Sequence, residues 1–341
     1  MKAIYMAAAD EYGLVDRPKP IPAADEALVR VVRSGLCHTD VIIRQGTAGH
    51  VKYPFIPGHE FAGTVEACGP VVKYIKPGDR VVVHQIIACG QCTSCRKGDS
   101  IGCENLSELG SKRDGGFAEY CVVPARHLLK LPDHVTFEEG AMVEPLANAL
   151  SAVRHTNPRW GERVVIVGPG PIGLMALQVA RLYHPAVLIL AGTRDERLTA
   201  GKTLGATHMV NTTRPGAVDE IKAVLGKKGA SAVVVCAGAR SALELATEII
   251  GWQGRIALEG VADAEQRVPI RSSQLLTQGS SLVGVNGWTT AEFTEALELI
   301  AAGLVKVKPL ITHTFPLEQW ELAFDMITER KSEAIKVMFA P

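Results

Sequence analysis

From Arg163 onward, short apolar runs alternate with amphipathic stretches, and that alternation leaves few folds open. The runs are Val164–Val167, Val187–Leu190, His208–Val210, Ala232–Cys236, Arg255–Glu259 and Ser281–Val285. Helical stretches intervene, among them 195–204, 217–225 and 240–250. Strands that are apolar on both faces belong inside a parallel sheet with helices on either side. Six strands alternating with helices predict a doubly wound α/β sheet.

The first of these strands runs into Gly168-Pro169-Gly170-Pro171-Ile172-Gly173, followed by an amphipathic helix to about Leu182. A lone glycine motif of this spacing is weak, but after a strand and opening a helix it is specific for a dinucleotide. Gly168 permits the tight turn, Gly170 lets backbone approach a pyrophosphate, and Gly173 lets helix and sheet pack closely. The helix N-terminus favours the anion. The cofactor-binding positions are therefore Gly168, Gly170, Pro171, Ile172 and Gly173, with Val285 at the end of the last strand.

Which dinucleotide binds is read at the end of the second strand, where an NAD site usually places an acidic residue. Here the chain has Gly192-Thr193-Arg194, with Asp195 and Glu196 following. A glycine makes room, while the hydroxyl and guanidinium suit a 2′-phosphate. NADP(H) is expected over NAD(H), Asp195 and Glu196 being the case for NAD.

The first part of the chain has another character. Lys2–Met6, Ala27–Val32, Phe61–Ala67, Arg80–His84 and Gly115–Val123 read as short strands joined by Gly/Pro turns, which suggests a compact β-barrel-like domain. Thr136-Phe137-Glu138-Glu139 is a capping box opening an apolar helix through Met142, Val143, Leu146 and Leu150. After Gly287 come helical stretches Glu292–Ala302 and Glu318–Arg330 and a strand Lys336–Phe339, expected to complete the first domain. The expected domains are 1–148, 149–286 and a returning segment 287–341.

Four of the eight cysteines, Cys89, Cys92, Cys95 and Cys103, follow the spacing C-x2-C-x2-C-x7-C. In a long chain without a secretion signal this crowding reads as metal binding, and four thiolates close a structural zinc site. Two weaker stretches, Cys37-His38-Thr39-Asp40 and Gly58-His59-Glu60, together offer Cys37, His59 and a glutamate to a second zinc with an open position. Glu144, on an apolar helix just before Pro145, is a further carboxylate whose burial would need a partner or a metal.

Taken together these features resemble the zinc-dependent medium-chain alcohol dehydrogenases over nearly the whole chain. The resemblance implies a GroES-like catalytic domain and a Rossmann domain. Where the alcohol dehydrogenases proper bring a second cysteine to the catalytic zinc, this chain has Met142-Val143-Glu144-Pro145. That looks like the polyol (sorbitol-like), butanediol and threonine dehydrogenase branch. By that resemblance Cys37, His59 and Glu60 are the zinc ligands, and Glu144 is either a substitute ligand or the carboxylate beside the zinc water and substrate. Thr39 matches the hydroxyl that passes the substrate's proton, and Asp40 the carboxylate that orients His59. His38 falls where relatives place a residue near the pyrophosphate. Lys336 resembles a basic residue near either the cofactor phosphate or the zinc-side glutamate. The relay histidine of the family would fall near Ile42, which carries no proton. Asn286 and Trp288, after the last Rossmann strand, replace a basic residue of the polyol enzymes.

The implied activity is hydride transfer between a secondary alcohol, diol or polyol and NADP(H) or NAD(H), with two zinc ions per chain. The competing reading is a non-catalytic NADPH-binding or redox-sensing zinc protein. With 341 residues, 47% hydrophobic and 21% charged at zero net charge, nothing points to nucleic acid or a membrane surface. The N-terminus has no signal-peptide core and no run of roughly 18 apolar residues occurs, so a cytoplasmic location is expected. Related bacterial enzymes suggest a homo-oligomer, a tetramer or dimer.

Overall fold

The computed structural model describes residues 1–9, 11–47, 51–260, 266–329 and 333–341. The chain divides into two compact units. One comprises Met1–Glu144, Thr289–Gly303 and Val307–Pro341; the other comprises Pro145–Trp288 and Leu304–Lys306.

In the second unit, the strands Arg163–Val167, Val187–Gly192, His208–Asn211, Ala230–Val235, Ile250–Leu258 and Ser281–Gly284 form one parallel sheet. Counted along the chain, their order across the sheet is 3-2-1-4-5-6, the doubly wound arrangement. Register follows from the apolar runs: Val164–Val167 lie against Leu188–Ala191 on one side and Ala232–Val235 on the other. The apolar side chains of these strands close a core with the helices Ala217–Leu225 and Arg240–Ile249. The side-chain amide of Gln178 grips the Lys306 backbone at both ends, the Lys306 N–H donating to Oε1 at 2.7 Å and its carbonyl accepting from Nε2 at 3.1 Å. That pair ties the segment Leu304–Lys306 to this unit.

In the first unit, the strand Glu26–Leu36 is the axis of a seven-stranded sheet. Glu60–Cys68 and Tyr120–Pro124 pair with it antiparallel, as does Lys336–Phe339 near its end. The returning strand Lys336–Phe339 is bounded as the sequence predicts, and it carries Ile311–Phe315 parallel beside it.

Several expected boundaries move, for identifiable reasons. The helix expected from Thr136 through Leu150 is two helices, Phe137–Ala141 and Val143–His155. Pro145 cannot bond to the Ala141 carbonyl and its ring would clash there, so the helix restarts with Pro145 in its first turn. The expected Gly115–Val123 strand shortens to Tyr120–Pro124, with only an isolated bridge between Ala3 and Ala118 before it. The short helices His38–Arg44 and Ser272–Gln278 and the strands Glu11–Asp16 and Ile311–Phe315 were not expected. The last helix is Trp320–Thr328, and Arg330, its expected end, lies outside the described residues.

Candidate active site

Three adjacent strands set the site. Gly35 of the axial strand is paired with Glu60, and Leu36 with Val337. This register puts Cys37, just beyond the axial strand, beside the first residue of each neighbour, Glu60 and Lys336. Gly35 has to be glycine here. A Cβ on it would lie 2.1 Å from Glu60 Oε2 and 2.9 Å from Lys336 Cε. Gly58 turns the chain at φ +93° against Phe117, delivering His59 and Glu60 inward.

Cys37 is the N-cap of the helix His38–Arg44. Asp40, fully buried in that helix's first turn, accepts the Cys37 N–H through Oδ2 at 2.9 Å. Its other oxygen faces His59 Nδ1 at 3.6 Å. One carboxylate thus caps the turn carrying the thiol and sets a negative charge beside the imidazole. Thr39 places its Oγ1 3.5 Å from Cys37 Sγ, while His38 is exposed.

Donor atoms of Cys37, His59 and Glu60 lie within 4.8 Å of one another, which fits a single small cation. Burial alone would lower the His59 pKa, yet the Asp40 carboxylate and the Cys37 sulfur outweigh it and hold the pKa well above its usual value. Lys336, 3% exposed, forms an ion pair with Glu60 Oε2. The structure therefore places Lys336 on the glutamate side of its two expected locations. Glu144, 4% exposed, accepts a hydrogen bond from Gln85 Nε2 at 3.0 Å. Desolvation, with the neighbouring Glu60 charge, pushes its carboxyl up to about 8. Gln85 carries no motif and was not expected to take part.

In the cysteine lobe, sulfurs of Cys89, Cys92, Cys95 and Cys103 lie within 4.8 Å of one another, and none is in a disulfide. Backbone N–H groups of Gln91 and Cys92 pull the Cys89 thiol down to about 6, while burial and the neighbouring Cys92 push Cys95 up to about 12. Four thiols this close, with backbone N–H groups already favouring a thiolate, fit a tetrahedral metal.

The glycine loop in the second unit fits a pyrophosphate. Gly168 has φ +106°, and a Cβ on Gly173 would lie 1.8 Å from the Gly168 carbonyl oxygen. Gly170 caps the helix Pro171–Arg181 with nothing within 4 Å of its Cβ position, so the concavity is open.

The comparisons with known proteins agree with this geometry. Residues 23–133 match the alcohol dehydrogenase GroES-like domain, and residues 171–302 match the zinc-binding dehydrogenase model. The chain is 31% identical over 345 residues to a sorbitol dehydrogenase of Bacillus subtilis (strain 168), covering 100% of this chain and 97% of that one. The chain belongs to the zinc-dependent medium-chain alcohol dehydrogenase family.

Two solved relatives of this alcohol dehydrogenase family carry cofactor. A zinc-binding dehydrogenase from Sinorhizobium meliloti 1021, bound to NADP, is 29% identical with a TM-score of 0.92, covering 100% of this chain and 99% of that chain. An Escherichia coli CFT073 alcohol dehydrogenase complexed with NADH is 30% identical with a TM-score of 0.92 and the same coverage. As a family member the chain is a zinc-dependent oxidoreductase of alcohols and polyols that uses a nicotinamide dinucleotide.

At the end of the second strand, where the sequence places the 2′ contacts, a Cβ on Gly192 would strike Pro169 at 2.2 Å. Thr193 is exposed, and Arg194 caps the helix Asp195–Thr203. Asp195 is already engaged, accepting from Asn211 Nδ2 at 2.9 Å and from Arg214 at 3.1 Å. Arg197, one turn beyond Arg194, was missed in the sequence. Burial and the Arg194 charge lower its pKa to about 10, so the two guanidinium groups feel one another. Val285 donates its N–H to the Leu258 carbonyl at 2.9 Å, and Trp288 is buried.

Proposed function

We propose that Cys37, His59 and Glu60 hold a catalytic zinc, that the four lobe cysteines hold a structural one, and that NADP(H) is the preferred cofactor. The observation that carries the catalytic assignment is the convergence of one thiol, one imidazole and one carboxylate around a common point. When bound, zinc supplies a Lewis acid that makes a substrate hydroxyl more acidic, and the nicotinamide takes the hydride.

The protein's part is orientation and proton handling. Asp40 Oδ1, 3.6 Å from His59 Nδ1, puts a negative charge beside the imidazole and so favours one orientation of the ring when Nε2 takes the metal. Thr39 Oγ1, beside the Cys37 sulfur, is placed to accept the substrate hydroxyl's proton and pass it on. Burial, with the Glu60 charge beside it, favours the protonated form of Glu144, and Gln85 donates to one of its oxygens. The Lys336–Glu60 ion pair favours a second arrangement, in which Glu144 is the third ligand and Glu60 balances the lysine. Zinc content of Glu60→Gln and Glu144→Gln separates the two, since only the ligand's loss empties the site.

Two observations support NADP(H): the neighbouring positive charges of Arg194 and Arg197, and the engagement of Asp195 by Asn211 and Arg214. The experiment is a screen of diols, sugar alcohols, aliphatic secondary alcohols and hydroxy-amino acids against both cofactors. Turnover of a diol or polyol with NADP+ supports the reading. No hydride transfer from any alcohol with either cofactor overturns it.

A further inference from the structure

The sheet of the second unit has two halves, each of the type that binds one mononucleotide at its strands' C-terminal ends. The half built from Arg163–Val167, Val187–Gly192 and His208–Asn211 carries the glycine loop and the 2′ end, so the adenosine nucleotide belongs there. The nicotinamide nucleotide is left to Ala230–Val235, Ile250–Leu258 and Ser281–Gly284. In the first half, the residue after the middle strand is Thr193. The positional counterpart in the second half is Glu259.

Backbone hydrogen bonds place Glu259 on the ligand-binding edge. Gly168 donates to Ala191 at 2.8 Å, Cys236 to Val167 at 2.8 Å, Glu259 to Val235 at 3.0 Å and Val285 to Leu258 at 2.9 Å. These four residues form a row along the C-terminal ends of the strands. The glycine loop and the Glu259-Gly260 segment both pack on Ala237: Cβ atoms on Gly168 and Gly260 would lie 2.9 and 2.5 Å from its atoms.

Among the described residues no cation pairs with the Glu259 carboxylate, and the side chain is partly buried. Its Oε2 is shielded from solvent and accepts no hydrogen bond from the described residues. The titratable group it faces on the adjacent strand end is the Cys236 thiol, which burial first and the Glu259 charge second push up. The outer strand Ser281–Gly284 has no ionisable side chain. On the helix Arg240–Ile249, Arg240 and Glu244 pair with each other at 2.7 Å, and Glu248 pairs with Lys222 at 2.7 Å. Burial pushes the Glu259 carboxyl up to about 7. An uncompensated carboxylate at a ligand edge is costly until the ligand supplies the positive charge.

Of the two redox forms of the cofactor, only the oxidised one has a positively charged ring. We propose that Glu259 is a cofactor-binding residue that faces the nicotinamide half and favours the oxidised over the reduced dinucleotide. This rests on the dinucleotide reading of the glycine loop.

The test is equilibrium binding to the zinc-loaded enzyme and its Glu259→Gln and Glu259→Ala variants, using NADP+, NADPH, NAD+, NADH and adenosine 2′,5′-bisphosphate. Glu259→Gln is expected to weaken oxidised dinucleotides about tenfold, and reduced ones less than about twofold, as one partly screened charge pair gives. Adenosine bisphosphate binding stays unchanged. The wild-type advantage for the oxidised form is full above the carboxyl's titration. It shrinks as pH falls towards about 5.5, because protonation removes the charge; in Glu259→Gln it stays flat. Equal effects on oxidised and reduced forms, or no effect on either, overturn the proposal. Loss of adenosine bisphosphate binding in both variants makes Glu259 a structural residue and also overturns it. If the wild type binds no dinucleotide, the reading of the glycine loop fails as well.

Discussion

At Gly35 one missing side chain decides whether the site can form. A methyl there would overlap the Glu60 carboxylate and crowd Lys336. Gly35→Ala is therefore expected to fold but to lose catalytic zinc and at least about a hundredfold in turnover, since displacing a ligand by about 1 Å is that costly. Metal analysis beside a dinucleotide titration checks it, with dinucleotide binding expected to persist. At the 2′ end, Arg194→Ala is expected to weaken NADPH about tenfold or more while NADH changes little, as loss of one charge-assisted phosphate contact gives. Equal weakening of both in a binding titration would remove the case for NADP(H). The ligand candidates were legible only in combination, because Cys37 and Gly58-His59-Glu60 are weak alone and gain their meaning beside the glycine loop and the cysteine lobe. Gln85, Arg197 and Gly35 were not. Gln85 and Gly35 matter through partners distant in the chain, such as Glu144, 59 residues from Gln85, while Arg197 carries no motif of its own.

The glycine loop is the element whose meaning depends least on the rest of the chain. A strand, a turn at positive φ and a helix follow within twenty residues, and each is enforced by local sterics. A Cβ at Gly173 would sit 1.8 Å from the Gly168 oxygen, so Gly173→Ala must spread the loop from the sheet. The expected result is loss of dinucleotide binding, read by fluorescence titration, with both zinc ions kept. Strands apolar on both faces were likewise legible. Short elements were harder to read. The strand Glu11–Asp16 is made only by pairing with Lys2–Ala8, and the helix His38–Arg44 is fixed by Asp40 capping it from within. The split at Met142 was readable in principle, because Pro145 forbids an unbroken helix.

Over the whole molecule, buried imidazoles set an acid limit. His84, 2% exposed beside His127 and Phe293, has its pKa lowered from 6.5 to about 4 by burial. The unfolded chain takes up that proton first, so this contribution is intact above about 6.5 and is lost as pH falls towards about 4. The size is on the order of 3 kcal/mol. Urea denaturation at neutral pH and near pH 4.5 should show His84→Leu losing less stability between the two than the wild type does; equal losses would exclude His84 as the cause. No described helix is long and apolar enough to cross a membrane.

The central claim is that Cys37, His59 and a glutamate form a second, catalytic metal site distinct from the cysteine lobe. Zinc per chain, measured in the wild type and in Cys37→Ala with dinucleotide binding followed in parallel, tests it most directly. The account predicts two zinc ions falling to one, turnover abolished and dinucleotide binding retained. One zinc in the wild type, or two in Cys37→Ala, would contradict it.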